Sequence, residues 1–265
     1  MYCAIARPFY LIYSSSVTAI ANSIPCKIID LRALDIALTM TTAVLAGSTG
    51  QTGTPILTTL LASPSISSVQ AFTRKTLPHT SSILTPLTAS DPHTWPSLYP
   101  SNAQIFLSAL ATSRAIAGGF ENQRKIDYDL NLALATKAKE SGTKVYVLIS
   151  AANANPHSYF GYPKMKGELE EAVKALNFEH TIFIRPGWIA GERQTTTENV
   201  LKRVKGLLGT VGGERAVDFW AQTPEVIGRA AVKAGLEALE GKQGEKARVL
   251  GGGEIIRLGK KEWKA

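Results

Sequence analysis

The sequence is poor in cysteine, and neither its 2 cysteines nor its 4 histidines are arranged as a disulfide framework or a metal site. Cys3 and Cys26 both precede the first recognisable strand. The histidines show no metal-ligand spacing, so we expect them in loops or on the surface and predict no bound metal. Without a disulfide framework, the chain is expected in a reducing compartment.

Long apolar runs and long basic runs are also missing. No stretch of about eighteen uninterrupted apolar residues occurs, which argues against a transmembrane helix. The formal net charge is +8, from 29 Lys and Arg against 21 Asp and Glu. This excess fits anionic ligands or an acidic membrane surface as well as nucleic acid. Because no consecutive basic block or aromatic-interleaved basic run accompanies it, nucleic-acid binding is not favoured.

Residues 1–39 lack the clean hydrophobic periodicity of the rest of the chain. Residues 1–29 contain neither Asp nor Glu but include Arg7 and several serines, a weak similarity to a mitochondrial transit peptide. One interpretation is a transit or anchoring segment. The other is a disordered extension or a misassigned start, since Met40 directly precedes a first strand. Either way, we expect an N-terminal extension that packs little against a single domain of residues 40–265.

A glycine-rich turn separates the apolar run Ala43–Ala46 from an apolar stretch with helical spacing. The order strand, glycine turn, helix is the context of a dinucleotide-binding fingerprint. Gly47 would allow the tight turn, Gly50 the approach of a pyrophosphate, and Gly53 close packing of the helix. Backbone amides and hydroxyls of the turn would bind the phosphates; its residues are Gly47, Ser48, Thr49, Gly50, Gln51, Thr52 and Gly53. A glycine-rich turn that binds nothing is the alternative.

The end of the second strand indicates which nicotinamide cofactor is bound. An NAD site places Asp or Glu about twenty residues after the turn, where it holds the ribose 2′-hydroxyl. Here the strand Ser68–Phe72 is followed by Thr73, Arg74 and Lys75, with no carboxylate. Two cations stand where a 2′-phosphate would lie, and a guanidinium suits phosphate geometry. NADP(H) is therefore preferred over NAD(H), unless the pair is only a solvated part of a loop.

A tyrosine and a lysine lie four positions apart after the predicted strand Lys144–Ser150. Pro163 suits a first helical position, so Tyr162 and Lys166 are expected to project from one face of a helix. A phenol exchanges protons poorly at neutral pH, and a nearby ammonium would lower its pKa toward the working range. The pair is therefore a candidate for acid–base catalysis. The alternative is that both are solvent-exposed helix residues without a catalytic role.

The remaining periodicity predicts strands alternating with helices, hence a parallel sheet with right-handed crossovers. We predict an α/β, Rossmann-type, doubly wound parallel sheet in a single domain with a small C-terminal substrate-side region. Residues 188–222 are either this substrate-side or lid region or a plain surface excursion. The further predicted elements are strands Ala103–Leu107, Glu179–Arg185 and Arg248–Leu250 and helices Asn122–Ser141 and Pro224–Leu239.

Four segments in order resemble atypical short-chain dehydrogenase/reductases. They are Gly47–Gly53, Phe120–Asp127, Tyr162–Glu170 and Ile184–Gly187. More narrowly, they are similar to a fungal group of mitochondrial outer-membrane proteins in that class, related to the animal Tat-interacting-protein family. The resemblance covers roughly residues 40–260. It implies NADP(H) binding and peripheral attachment to the mitochondrial outer membrane, with a cytoplasmic location as the alternative.

The resemblance also assigns site residues. It implies that Tyr162 and Lys166 are the catalytic pair and contact the cofactor, that Pro186 and Gly187 lie beside the nicotinamide, and that Arg193 lies near the phosphates. The loop after the fourth strand would line the cofactor; it comprises Leu110, Ala111, Thr112, Ser113 and Arg114. No role is assigned to Asp127 or Asn131.

One departure leaves the function open between two classes. Family members usually carry two serines where this chain has Ser150 and Ala151, so Ser150 or Ser158 would have to supply the substrate-binding hydroxyl. Retention of Tyr162 and Lys166 favours an NADP(H)-dependent oxidoreductase acting on an unidentified carbonyl or enone. The missing serine favours a non-catalytic NADP(H)-binding regulator or membrane-associated adaptor.

Overall fold

The computed structural model describes residues 41–189 and 221–263, and within them the predicted doubly wound parallel sheet is confirmed. The sheet has seven parallel strands: β1 (Thr41–Ala46), β2 (Ile66–Thr73), β3 (Leu84–Thr88), β4 (Ile105–Ser108), β5 (Val145–Ile149), β6 (His180–Ile184) and β9 (Ala247–Leu250). They are hydrogen-bonded in the order β3-β2-β1-β4-β5-β6-β9. Two short strands, β7 (Trp188–Ile189) and β8 (Ala221–Gln222), form a separate parallel pair.

Helices connect the strands and cover both faces of the sheet. They are α1 (Gly53–Ala62), α2 (Arg114–Ala117), α3 (Phe120–Arg124), α4 (Asn131–Glu140), α5 (Gly161–Ala175), α6 (Pro224–Leu239) and α7 (Gly252–Ile256). A π-helical segment, Lys125–Leu130, joins α3 to α4, and a second one, Arg257–Lys261, follows α7. A 3₁₀ helix, Pro92–Leu98, follows β3.

The core has two apolar layers, one on each face of the sheet. In β1, Ala43 and Leu45 belong to one layer, and Val44 and Ala46 belong to the other. Successive side chains of a strand point to opposite faces, so a strand covered on both sides must be apolar throughout. This explains the unbroken apolar run Ala43–Ala46 within the first strand.

Helix α6 has the bounds that the sequence predicts. Pro224 occupies its first turn, and the Thr223 hydroxyl caps it by accepting a hydrogen bond from the Val226 amide at 3.4 Å. Proline fits there because the first amides of a helix have no partner within it. The other predicted strands and helices agree with the structure to within a few residues.

Two features differ from the sequence-based prediction. Strand β3 and the 3₁₀ helix were not located by the pattern. Pro163 is the third residue of α5 rather than its first, since the helix begins at Gly161. A proline is still tolerated there, because it lies in the first turn, where amides have no intrahelical acceptor.

Several predictions fall outside the described residues. These are the loose packing of residues 1–39, the role of Arg193, and most of the substrate-side region proposed for residues 188–222. Of that region the structure describes only β7 and β8 at its two ends. None of the described helices is long and apolar enough to cross a membrane.

Candidate active site

The glycine turn after β1 has two positions that only glycine can occupy without a clash. Gly47 has a φ of +83°, and a Cβ there would lie 2.6 Å from the carbonyl of Ala109. A Cβ on Gly53 would lie 1.8 Å from the Gly47 carbonyl oxygen, which is a direct collision. The Gly50 amide donates to the same oxygen at 2.9 Å and closes the turn. The turn thus brings the start of α1 against the end of β1.

The turn has backbone amides without acceptors, but the hydroxyl of Ser48 is already hydrogen-bonded within the protein. Within the described part of the chain, the amides of Gln51, Thr52 and Gly53 have no acceptor. Unpaired amides at a helix start are the donors that bind phosphate oxygens. The Ser48 hydroxyl, expected among the phosphate ligands, is buried and donates to the Phe72 carbonyl at 2.8 Å. It therefore connects the turn to β2.

A cleft of about 600 Å³ opens beside this turn, where β1, β2 and β4 end. We call it the glycine cleft. Its two cationic lining residues are Arg74 and Lys125, and none of the described lining residues is a carboxylate. The predicted residues that line it are Gly47, Thr49, Gly50, Arg74, Leu110, Ala111 and Thr112. Lys75 does not line it, although its amide donates to the Thr73 hydroxyl at 3.1 Å.

Three polar side chains that the sequence reasoning left without a role hold the loop after β4. The Asp127 carboxylate accepts the Thr112 amide at 2.6 Å, and Gln123 donates to the Thr112 carbonyl at 3.1 Å. Asn131 donates to the Leu110 carbonyl at 3.0 Å. All three side chains are buried. Their spacing of four is a detectable signal, because it places them on one face of a helix.

Tyr162 and Lys166 lie on the first two turns of α5 in very different surroundings. Tyr162 is 39% exposed and lines a second cavity of about 640 Å³, whereas Lys166 is 1% exposed. The Lys166 ammonium donates to the Ile149 carbonyl at 3.3 Å, at the end of β5. The second cavity, which we call the tyrosine cavity, is lined by Thr112, Ser113, Arg114, Phe120, Gln123, Gly161 and Tyr162.

The pKa of Tyr162 differs in direction from the prediction. It is raised to about 12, first because burial disfavours the phenolate and second because the Asp127 carboxylate repels it. The expected lowering by Lys166 is wrong for this structure. Burial also lowers the pKa of Lys166, and the carboxylates of Asp127 and Glu170 oppose that shift. The phenol is therefore held in its protonated form.

Ser150 belongs to a buried ionic group rather than to the tyrosine cavity. Its hydroxyl donates to Glu170, which is 1% exposed. The Arg185 guanidinium donates to both carboxylate oxygens of Glu170, at 3.0 Å through Nε and 2.6 Å through Nη2. This group links the ends of β5 and β6 to α5, and sequence reasoning missed it.

Pro186 and Gly187 follow β6 at the same edge of the sheet but line neither cavity. The Pro186 carbonyl accepts the Ala152 amide at 3.0 Å. The Gly187 amide donates to the Gln222 side chain at 2.8 Å. Their bonds thus connect the segment after β6 to the loop after β5 and to β8.

Sequence comparison finds close relatives along most of the chain, although no family model matches it. The chain is 47% identical over 231 residues to "Protein fmp52-1, mitochondrial" of Aspergillus oryzae, covering 83% of this chain and 98% of that protein. It is 46% identical over 238 residues to "Protein fmp52, mitochondrial" of Aspergillus fumigatus, covering 84% and 100%. "Protein fmp-52, mitochondrial" of Neurospora crassa is 43% identical over 237 residues, covering 85% and 98%.

Solved structures of low sequence identity share the fold. A short-chain dehydrogenase of Burkholderia cenocepacia in complex with NADP has a TM-score of 0.57 at 16% identity, covering 82% of this chain and 92% of that one. MoeE5 in complex with UDP-glucose and NAD has a TM-score of 0.59 at 14% identity, covering 79% and 75%. The relatives above show that the chain belongs to the Fmp52 family, and the solved structures show that it has the fold of the short-chain dehydrogenase/reductases.

Proposed function

We propose that the protein is an NADP(H)-dependent oxidoreductase that acts on a carbonyl compound or an enone. The observation that carries this proposal is the glycine cleft, whose described lining has two cations and no carboxylate, and which opens beside the turn that holds the unpaired amides of Gln51, Thr52 and Gly53. A diphosphate needs donors of this kind and close approach to the backbone. A Cβ at Gly53 would collide with the Gly47 carbonyl, so the backbone at the start of α1 packs directly against the turn.

The cations favour the phosphorylated form of the cofactor. Arg74 directly follows β2, where an NAD-binding protein would place an acidic residue. Neither Arg74 nor Lys125 has an ion-pair partner among residues 41–189 and 221–263. An uncompensated guanidinium at this position suits a 2′-phosphate. Lys75 stands next to it and would contribute through its charge alone.

The residues of the tyrosine cavity support proton transfer to a carbonyl oxygen. When bound, the cofactor supplies the hydride, and the protein has to position the substrate and deliver a proton. Tyr162 is the residue that would deliver that proton, because its phenol lines the cavity and is protonated at neutral pH. Lys166 contributes a buried ammonium that donates to the Ile149 carbonyl at the end of β5 and is stabilised by the charge of Asp127.

A non-catalytic NADP(H)-binding regulator is the second candidate, and the state of Ser150 favours it. The Ser150 hydroxyl donates its hydrogen bond to Glu170, and Ala151 has no hydroxyl. The substrate-binding role predicted for Ser150 thus has no support in its hydrogen bonding. Purified protein assayed for NADPH oxidation against a panel of aldehydes, ketones and enones separates the two candidates. Turnover of any member supports the oxidoreductase, and NADPH binding without turnover supports the regulator.

Replacing Arg74 by alanine tests the cofactor preference. We expect NADPH affinity to fall by about tenfold or more, with NADH affinity barely changed, because only NADPH has the phosphate that the guanidinium would bind. Isothermal calorimetry with both cofactors measures the two changes. Lys75→Ala is the matched control, with a smaller expected loss, since Lys75 does not line the cleft. Equal losses of NADPH and NADH affinity in Arg74→Ala would rule out the assignment.

The cellular location is proposed on the relatives' names and on the family resemblance. The curated relatives are named mitochondrial proteins. We propose peripheral attachment to the mitochondrial outer membrane, and the kinship with the Tat-interacting-protein family stays a prediction. Fractionation of mitochondria followed by carbonate extraction and protease protection tests the proposal. Release of the protein by carbonate and its digestion on intact mitochondria are the expected results.

A further inference from the structure

We propose that the tyrosine cavity binds a carbonyl compound with an aromatic or similarly flat apolar body and an anionic group, and that Arg114 binds the anion. The inference rests on the proposed function, because it names the class of substrate that Tyr162 would protonate. The cavity has a volume of about 640 Å³ and is open to solvent. Its described lining residues include one cation and no carboxylate.

The charge of the cavity comes from Arg114 at the start of α2. Arg114 is exposed, and its guanidinium makes no ion pair or hydrogen bond within the described part of the chain. The Asp127 carboxylate is buried and already accepts hydrogen bonds from two lining residues, through the Thr112 amide and the Gln123 side chain. The guanidinium is therefore available to pair with an anion of the ligand.

The apolar part of the cavity comes from two rings. The Phe120 ring lies across the start of α5, because a Cβ added to Gly161 would be 3.0 Å from the Phe120 Cζ. Tyr162 presents its ring on the next residue of the same helix. A flat apolar body can pack against such rings, since aromatic groups stack in offset or edge-to-face arrangements. Gly161 is what allows Phe120 to approach this closely.

The tyrosine cavity and the glycine cleft meet at Thr112, which lines both. The position of Thr112 is fixed from behind, since its amide and carbonyl are bound by Asp127 and Gln123. A ligand in the tyrosine cavity would therefore lie next to a cofactor in the glycine cleft. This adjacency makes the tyrosine cavity a substrate site.

Matched pairs of ligands and variants test the inference. In NADPH oxidation, 4-carboxybenzaldehyde is expected to have a kcat/KM about tenfold above that of its neutral methyl ester, and Arg114→Gln should remove the difference. In calorimetry on the protein with NADP⁺, 4-methylbenzoate should bind about tenfold more tightly than 4-methylbenzamide, and Arg114→Gln should remove this preference. Lys164→Gln is the control, because Lys164 is an exposed cation of α5 outside the cavity.

The outcomes separate this inference from the proposed function. Equal binding of benzoate and benzamide, or a benzoate preference that survives in Arg114→Gln, would overturn the anion site even if NADPH binds normally. Loss of the preference in Arg114→Gln but not in Lys164→Gln supports it. Failure of the unmodified protein to bind NADPH would instead overturn the proposed function, and benzoate titrations without cofactor would then decide the anion site alone.

Discussion

Replacing Glu170 by alanine is expected to lower the free energy of unfolding by about 3 kcal/mol. Glu170 is 1% exposed and accepts hydrogen bonds from Ser150 and from two nitrogens of Arg185. Removing the carboxylate leaves a guanidinium without its counter-charge and a hydroxyl without its acceptor. The loss falls at the low end for a broken buried pair, because the Arg185 side chain keeps 27% of its surface in solvent.

The adjacent residue provides the control for this change. Glu171 pairs with Lys174 at 2.7 Å, but 57% of the Glu171 side chain is exposed. An ion pair of this kind contributes less than about 1 kcal/mol, so Glu171→Ala should be nearly neutral. Urea unfolding followed by circular dichroism measures both variants. If Glu170→Ala and Glu171→Ala lost the same small amount, the Ser150–Glu170–Arg185 group would not stabilise the junction of β5, β6 and α5.

Replacing Tyr162 by phenylalanine should lower turnover of the proposed reaction by about two to four orders of magnitude, the usual contribution of a positioned acid. NADPH binding should be nearly unchanged, because Tyr162 does not line the glycine cleft. Steady-state kinetics and calorimetry on one preparation measure both quantities. Tyr159→Phe is the control, since the Tyr159 side chain is 104% exposed and should contribute nothing. Full activity in Tyr162→Phe would remove this residue from the chemistry.

The raised pKa of Tyr162 predicts different pH profiles for the two directions of that reaction. Carbonyl reduction needs the protonated phenol, so titration of Tyr162 should not slow it until the pH approaches about 12. Alcohol oxidation needs the phenolate, whose fraction rises tenfold for each pH unit below that value, so its rate should climb with pH through the neutral range. An oxidation rate that levels off near neutral pH would contradict the raised pKa.

The sequence was sufficient to predict the sheet because its central strands are buried on both faces. Such strands contain continuous apolar runs, and β1, β5 and β6 are visible for that reason. Strand β3 could not be found this way. It lies at the edge of the sheet, is mostly half-buried or exposed, and contains Pro86, so its residues carry neither an apolar run nor a regular alternation.

The glycine turn was equally predictable, because all its residues lie within one short segment. The two buried polar groups, one around Glu170 and one around Asp127, could not be predicted in the same way. Glu170 meets Arg185 and Ser150 across 15 and 20 positions of the chain, and no local pattern specifies such a contact. The face formed by Gln123, Asp127 and Asn131 was visible as a spacing, but its partners at Leu110 and Thr112 depend on how the sheet places the loop after β4.

The shift in the pKa of Tyr162 also could not be predicted from the sequence. The spacing of Tyr162 and Lys166 indicates that they share a helix face, but it does not say what each side chain contacts. Lys166 is buried and donates to Ile149, while burial and the charge of Asp127 raise the pKa of Tyr162. Charge proximity in a sequence is therefore weaker evidence for a pKa than burial in the structure.

Calorimetric titration of the purified full chain with NADPH tests the cofactor site most directly, since every later step depends on that binding. We predict saturable binding of one NADPH per chain, tighter than the binding of NADH under the same conditions. A protein that binds neither NADPH nor NADP⁺ would contradict the assignment of the glycine cleft and the function built on it.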